Sequence, residues 1–361
     1  MAGAFKQIIS GRGAQSDALS QRFNKTSREV DGDWRDYMVS LGGPPVKLKT
    51  TIVEEHPKTV LTFNQSPDVA FDRSVNPYRG CEHGCIYCFA RPTHAFHDHS
   101  PGLDFETKLY AKPDAAKLLR DTLANPRYRP APIALGTNTD PYQPIERRYR
   151  ITHAILEICL EARHPVTITT KSDRVLADLD LIAEMARHRL MAVAVSVTSL
   201  DPILSGKLEP RAASPFKRMA AIKKLAEAKV PVHCSIAPVI PGITDEFLEE
   251  IIAEAARMQA SSVGWIPLRL PYEVAPLFRE WLSVHFPERA GKVMSIVRSI
   301  RGGRDNDPDF FTRLKPRGVW ADLFRARFAT ACRKAGIAKT RFELDCAAFR
   351  APEVGGQLRL L

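Results

Sequence analysis

Three cysteines fall within one eight-residue stretch of the run NPYRGCEHGCIYCFARP: Cys81, Cys85 and Cys88. The Cys-x3-Cys-x2-Cys spacing sets three soft thiolates on one tight loop. Thiolates of this kind select iron–sulfur clusters, zinc or copper(I). Gly80 and Gly84 supply the backbone freedom a loop needs to fold around a bulky group. Structural zinc takes four ligands, for which His83 or His94 would have to join the thiols. A cluster held by three protein ligands leaves one iron open instead. The other cysteines, at 159, 234, 332 and 346, are scattered. An odd count with a tight trio in a long chain points to metal or redox chemistry, not to a disulfide framework.

Further along, short polar stretches end apolar runs. APIALG (131–136) leads into GTNTDPYQPIE (136–146), which puts hydroxyls and an acid at the end of the run. Thr137, Thr139 and Asp140 read there as ligand contacts or as turn formers. TTKSD (169–173) ends the next run. Its Lys171 offers a point charge to a carboxylate, and Ser172-Asp173 offers a helix cap. In AVAVSVTS (192–199), Val193, Val195 and Val197 share one face, and Ala192, Ala194, Ser196 and Thr198 the other. Small residues on that second face leave room for a ligand. LEPRAASPFKR (208–218) sets Glu209 and Arg211 ahead of a helix. Such an Arg clamps a carboxylate or phosphate, or pairs with the Glu. HAFHDHSPGLDFE (94–106) carries three histidines at a spacing that suits no regular metal site, and it reads as a polar loop.

The elements that must position these stretches appear as an alternation. Apolar, β-branched runs lie at 131–136, 165–170, 192–198, 230–239 and 262–270. Between them are amphipathic helical stretches at roughly 113–124, 150–163, 178–189, 214–228 and 244–259. Ser214-Pro215 reads as an N-cap with an N1 proline, and Thr244-Asp245 opens the next helix. Alternating strands and helices specify a parallel sheet, because parallel strands need a crossover. Five or six such units build an open doubly wound sheet or a barrel, and in both the reactive residues sit at the C-terminal strand ends. TTIVEEHPKTVLTF (50–63) reads as two short β-runs joined by a turn at His56-Pro57. The chain divides into an N-terminal extension (1–70, with GRGAQSD and the acidic DGDWRDYM), a core (71–270) and a C-terminal extension (271–361).

The cysteine motif, closing on Ile86-Tyr87-Cys88, resembles the radical S-adenosylmethionine (SAM) signature. With NPYRGC, GTNTDPYQPIE and LEPR, it makes residues 70–270 similar to the spore photoproduct lyase group of that superfamily. The resemblance implies a [4Fe-4S] cluster on Cys81, Cys85 and Cys88, with SAM on the open iron. It implies reductive cleavage of SAM to a 5′-deoxyadenosyl radical that abstracts hydrogen from a substrate. The implied fold is α/β, a partial (β/α)6 radical SAM barrel with N- and C-terminal extensions that shield the radical. Tyr87 matches the aromatic before the last ligand. Thr139 and Ser196 match SAM-contacting positions, Lys171 matches the residue on the SAM carboxylate, and Arg211 is a further candidate for the cofactor. IAPVIPG (236–242) resembles the stretch that flanks adenine. One position departs from the lyases. Where they carry Cys-Thr-Ser-Asp, this chain has Thr137-Asn138-Thr139-Asp140. Their cysteine returns a hydrogen atom, and a hydroxyl O–H bond is too strong to do so readily. The match is therefore to lyase-like radical SAM enzymes of unassigned substrate, with no residue named for the hydrogen-transfer role.

Net charge is +11, and residues 271–361 hold 17 Lys/Arg against 10 Asp/Glu, while 81–270 hold 24 against 22. A basic tail attracts nucleic acid or simply solvates the surface. RGGR (301–304), Arg313, Lys315 and Arg317, with Phe310, Phe311 and Trp320, are the candidate contacts. No apolar run approaches the roughly 20 residues that span a bilayer, and MAGAFKQIIS shows no signal peptide. A cytoplasmic protein without a membrane partner is expected. Its expected partners are a reductant such as flavodoxin or ferredoxin and, as a candidate, nucleic acid. Two other readings remain open: a zinc-bearing nucleic-acid-binding protein without catalysis, and a radical SAM activase of a protein partner.

Overall fold

The computed structural model describes residues 9, 11–17, 20, 22, 48–338 and 342–353. DGDWRDYM and the last eight residues lie outside them. β1 (Thr51–Glu54) and β2 (Leu61–Phe63) occupy the two expected β-runs, but they join different sheets. β2 pairs antiparallel with β3 (Arg73–Val75). β1 lies in a three-stranded sheet with β4 (Tyr78–Arg79) and β5 (Lys108–Ala111). A two-stranded ribbon of such short strands is marginal in water, so each run is recruited by a sheet that buries it.

From β3 a parallel series begins: β6 (Ile133–Leu135), β7 (Val166–Thr170), β8 (Met191–Ser196), β9 (Val232–Val239) and β10 (Ser262–Pro267). The sheet order is β10-β9-β8-β7-β6-β3-β2. Along the six parallel strands, neighbours in space are neighbours in sequence, and the order never reverses. A doubly wound sheet must reverse at a switch point. A series that does not reverse lays its right-handed crossovers on one face and leaves the other as a lumen. The chain thus has the six-stranded partial-barrel topology, and no pairing joins β10 to β2 among the described residues.

The crossover helices are α1 (Ala115–Leu123), α2 (Ile151–Glu161), α3 (Leu179–Arg187), α4 (Pro215–Glu227) and α5 (Leu248–Arg257). Leu119, Ile155, Met185, Ile222 and Ile251 of these helices share one core with Val166, Val193 and Val263 of the strands. Side chains alternate along a strand, so Ala134, Thr167, Ala194, Ser196, Ser235 and Gly264 face the lumen. After β10 come α6 (Val274–His285), α7 (Pro287–Ser299) and α8 (Val319–Ala335). Phe278, Trp281 and Val297 of α6 and α7 build a second core with Ile86, Tyr87 and Ile240. α8 returns to the main core through Phe324, Phe328 and Cys332. The Val263 amide then donates to Ala338 O at 2.9 Å.

Candidate functional site

The cysteine loop leaves β4 with Gly80 and Gly84 at φ of +72° and +67°. One buried cation organises it. Arg91 donates from Nε to Cys85 O (2.9 Å), from Nη1 to Pro101 O (3.1 Å) and Gly102 O (2.9 Å), and from Nη2 to Gly84 O (3.1 Å) and the Glu106 carboxylate (2.5 Å). Every N–H of a guanidinium is used in this way. Glu106, itself fully buried, also accepts the amides of Gly13 (3.1 Å) and Ala14 (2.8 Å). The GRGAQSD segment, read from sequence as part of an extension, is therefore strapped onto the cysteine loop. On the far side, Thr139 Oγ1 (2.8 Å) and Gln143 Nε2 (3.1 Å) donate to Gly80 O, and the Glu82 amide donates to Gln143 Oε1 (2.9 Å).

Cys81 and Cys85 are buried and Cys88 half-buried. Burial pushes all three thiols up, and Asp140 raises Cys81 further. Against this, the amides of Asp140 and His83 point at Cys81, those of Ala90 and Arg91 at Cys88, and the Lys171 charge draws Cys85 and Cys88 down. A desolvated thiol faced by N–H donors is suited to a metal, which supplies the positive charge that holds it as thiolate. Among the described residues, no three Cys, His, Asp or Glu side chains gather around a single ion-sized point. A cluster takes its thiolates on different irons and needs no such point, so this donor set fits one. His83 Nδ1 lies 3.4 Å from Asp140, and His94 Nε2 lies 2.8 Å from Lys108 O while its Nδ1 is buried without a partner among the described residues. The stretch expected as a polar loop, 94–106, starts within a short 3-10 helix (Arg91–His97), continues as a turn and ends in a helical turn from Asp104, with His94 buried edge-on against Phe105.

Beneath the loop, Glu209 is 2% exposed and accepts from the Tyr87 hydroxyl, from Thr198 Oγ1 (2.8 Å) and from Arg218. Burial pushes this carboxyl up, but the charges of Arg218 and Lys171 and the hydrogen bonds outweigh it, to about 2. Arg218, also buried, donates to Ala213 O (2.7 Å) and Ser196 O (3.1 Å). Lys171 Nζ lies 3.5 Å from Ala237 O and 5.8 Å from the Tyr87 ring centroid. Asp140 holds the Lys171 amide (2.7 Å) and the Thr170 hydroxyl (2.7 Å), and so fixes the turn that carries the lysine.

Of the residues singled out from sequence, Tyr87 and Lys171 stand with the three thiols, around Glu209. Ser196 ends β8 beside them, buried, with its carbonyl held by Arg218. Thr139 is engaged with Gly80, and Arg211 pairs with Glu82 (3.1 Å). Thr137 donates to Asn76 Oδ1 (3.1 Å). Cys159, Cys234 and Cys332 belong to the helix-facing core, away from the lumen. Sequence reasoning missed Arg91, Glu106 and Arg218. The one available signal was the Arg that follows the last cysteine by three residues, inside an otherwise apolar CFARP run.

Residues 75–255 match the model of the radical SAM superfamily, and the chain belongs to that superfamily of enzymes. An uncharacterised protein of Mycobacterium tuberculosis is 38% identical over 241 residues, 65% of this chain and 71% of its own. A spore photoproduct lyase variant superposes with a TM-score of 0.57 over 81% of this chain and 82% of its own, at 16% identity. A second variant, with bound AdoMet and dinucleoside spore photoproduct, gives 0.56 over 86% and 93%, at 14% identity. At such identity the likeness is one of fold. It agrees with the α/β partial-barrel expectation. No helix among the described residues is long and apolar enough to cross a membrane.

Proposed function

We propose that this enzyme holds a [4Fe-4S] cluster on Cys81, Cys85 and Cys88, binds SAM at the lumen mouth, and abstracts hydrogen from a substrate of nucleotide character. The observation that carries the reading is the convergence of Lys171, Tyr87 and Glu209 on the three thiols, two of them buried and one half-buried, at the strand ends. When bound, the cluster and SAM supply a one-electron cleavage that generates a carbon radical. The chain's own residues do the rest. Lys171 presents a cation that balances a carboxylate. Glu209, charged and anchored by Arg218, fixes the Tyr87 hydroxyl and neutralises part of the Lys171 charge. The small residues of β8, Ala192, Ala194 and Ser196, leave space on the lumen face. The second core over the cysteine loop excludes water from the site. The nucleotide character rests on the photoproduct-bound lyase of the same fold. A small reductant such as flavodoxin or ferredoxin, in the cytoplasm, completes the scheme.

Anaerobic reconstitution tests it. The wild type is expected to take up iron and sulfide in equal amounts and to release 5′-deoxyadenosine from SAM under reductant. Cys81→Ala, Cys85→Ala and Cys88→Ala are each expected to lose the iron. Cys159→Ala, Cys234→Ala and Cys332→Ala are expected to keep both iron and 5′-deoxyadenosine yield. Lys171→Met is expected to keep iron and weaken SAM binding. A colourless protein that retains zinc after reconstitution overturns the reading.

A further inference from the structure

Arg269 lies two residues beyond β10, half-buried, with no hydrogen bond or ion pair among the described residues. Its Nε is enclosed without an acceptor. Arg301 is 5% exposed and bridges two backbone carbonyls, Leu268 O and Arg313 O (2.9 Å), through its terminal nitrogens. Its Nε is also enclosed without an acceptor. Arg313 makes a two-pronged pair with Asp68, both contacts 2.6 Å. Asp68 belongs to the connection between β2 and β3, at the opposite edge of the sheet from β10. Three guanidinium groups thus gather where the two edges of the open sheet are tied together.

These cations are not balanced. Burial lowers Arg269, and the Arg313 charge lowers it further. Burial and then the Arg269 charge push Arg301 down to about 10. Asp68 is engaged with Arg313, and the nearby Asp307 takes the Asp309 amide (2.9 Å). That leaves one positive charge in excess and two buried N–H groups with no acceptor. Folded chains seldom leave such donors unpaired, and guanidinium groups that approach one another are characteristic of oxyanion recognition.

We infer that this seam is a phosphate-binding site, with Arg269 as the main ligand, Arg301 Nε as a second donor and the Arg313–Asp68 pair as its fixed wall. The site rests on the enzymatic reading above only for what carries the phosphate, namely the substrate that reaches the open side of the barrel.

Calorimetric titration of the reconstituted protein tests it, with inorganic phosphate and thymidine 5′-monophosphate as probes and sodium chloride of matched ionic strength as control. Phosphate is expected to bind beyond the chloride control. Arg269→Gln is expected to weaken it about tenfold or more, since one charged hydrogen-bonding group is removed. Its melting temperature and iron content are expected to stay at wild-type values, because Arg269 makes no hydrogen bond or ion pair among the described residues. Arg269→Lys is expected to recover part of the binding as a point charge without the fork. Tighter binding of the nucleotide assigns the site to a substrate phosphate, and equal binding assigns it to free phosphate. Phosphate binding no stronger than chloride, or unchanged in Arg269→Gln, overturns the proposal. A protein that takes up no iron yet binds phosphate through Arg269 overturns the enzymatic reading alone.

Discussion

Glu209 is the residue on which the others around the thiols depend. Its carboxylate joins Tyr87, Thr198 and Arg218 in one buried network. Glu209→Gln leaves the Arg218 guanidinium buried without its counter-charge, a change that costs about 3–5 kcal/mol. A loss of that order is expected in urea denaturation, and Glu209→Leu with Arg218→Leu is expected to recover much of it. An equally stable single variant would falsify this account of the pair. The sign with pH follows from the depressed carboxyl. It stands at about 2 in the folded chain against an ordinary 4.5. The stabilisation is complete above pH 4.5 and is lost as pH falls from there towards 2. Urea midpoints across that range are expected to fall more steeply for wild type than for Glu209→Gln. In the sequence Glu209 and Arg211 look like partners, and the structure exchanges them: Glu209 takes Arg218, and Arg211 takes Glu82. Helical periodicity says that one face of 215–227 is buried. Which acid lies across from that face is decided by tertiary packing.

The cysteine loop is an element made by its clamps, and the strap at 11–17 is the least expected of them. A Cβ on Gly13 would stand 1.7 Å from Gly84 O, against backbone that has nowhere to move. Gly13→Val is therefore expected to lift the strap and release two amides from Glu106. The expected signs are faster proteolysis near residues 11–17 and a shorter lifetime of bound iron. Wild-type values for both would remove the strap from the account of the site. GRGAQSD carries the small residues that close approach to another backbone requires. Its sequence does not say which backbone it approaches. The parallel strands β6 to β10 were legible to within about three residues, because each is β-branched and bounded by turn formers. β3 was not, since three residues (Arg73–Val75) show no period. For the same reason β1 and β2 looked like one hairpin.

Across the whole molecule, the segment after β10 divides in two. α6 and α7 form the second core at the cysteine loop, while α8 returns to the outer layer of the barrel. Phe324 of α8 is 1% exposed and packs on Trp265 (centroids 4.6 Å apart) and Trp320 (5.1 Å). Phe324→Ala is expected to cost about 3–5 kcal/mol, measured by chemical denaturation, as for a core aromatic. A cost under about 1 kcal/mol would show α8 to be a dispensable appendage. The same packing sorts the basic residues read from sequence as nucleic-acid contacts. Arg301 and Arg313 face inward, and Trp320 is half-buried on Phe324. Arg304, Lys315, Arg317 and the 58% exposed Phe311 remain on the surface. One face of Phe310 is covered by Arg313, 4.7 Å from its centroid. A single-stranded nucleic acid would therefore meet three charges and one free ring. Oligonucleotide affinity is expected to fall with salt, and Arg304→Gln, Lys315→Gln and Arg317→Gln together are expected to flatten the log–log slope by about 2. Phe311→Ala is expected to weaken binding by about 1–3 kcal/mol, the worth of one stacked base. A triple variant with the wild-type slope would move any nucleic-acid contact away from this surface. Wild type that binds no oligonucleotide at low salt would leave these charges the task of keeping the chain in solution.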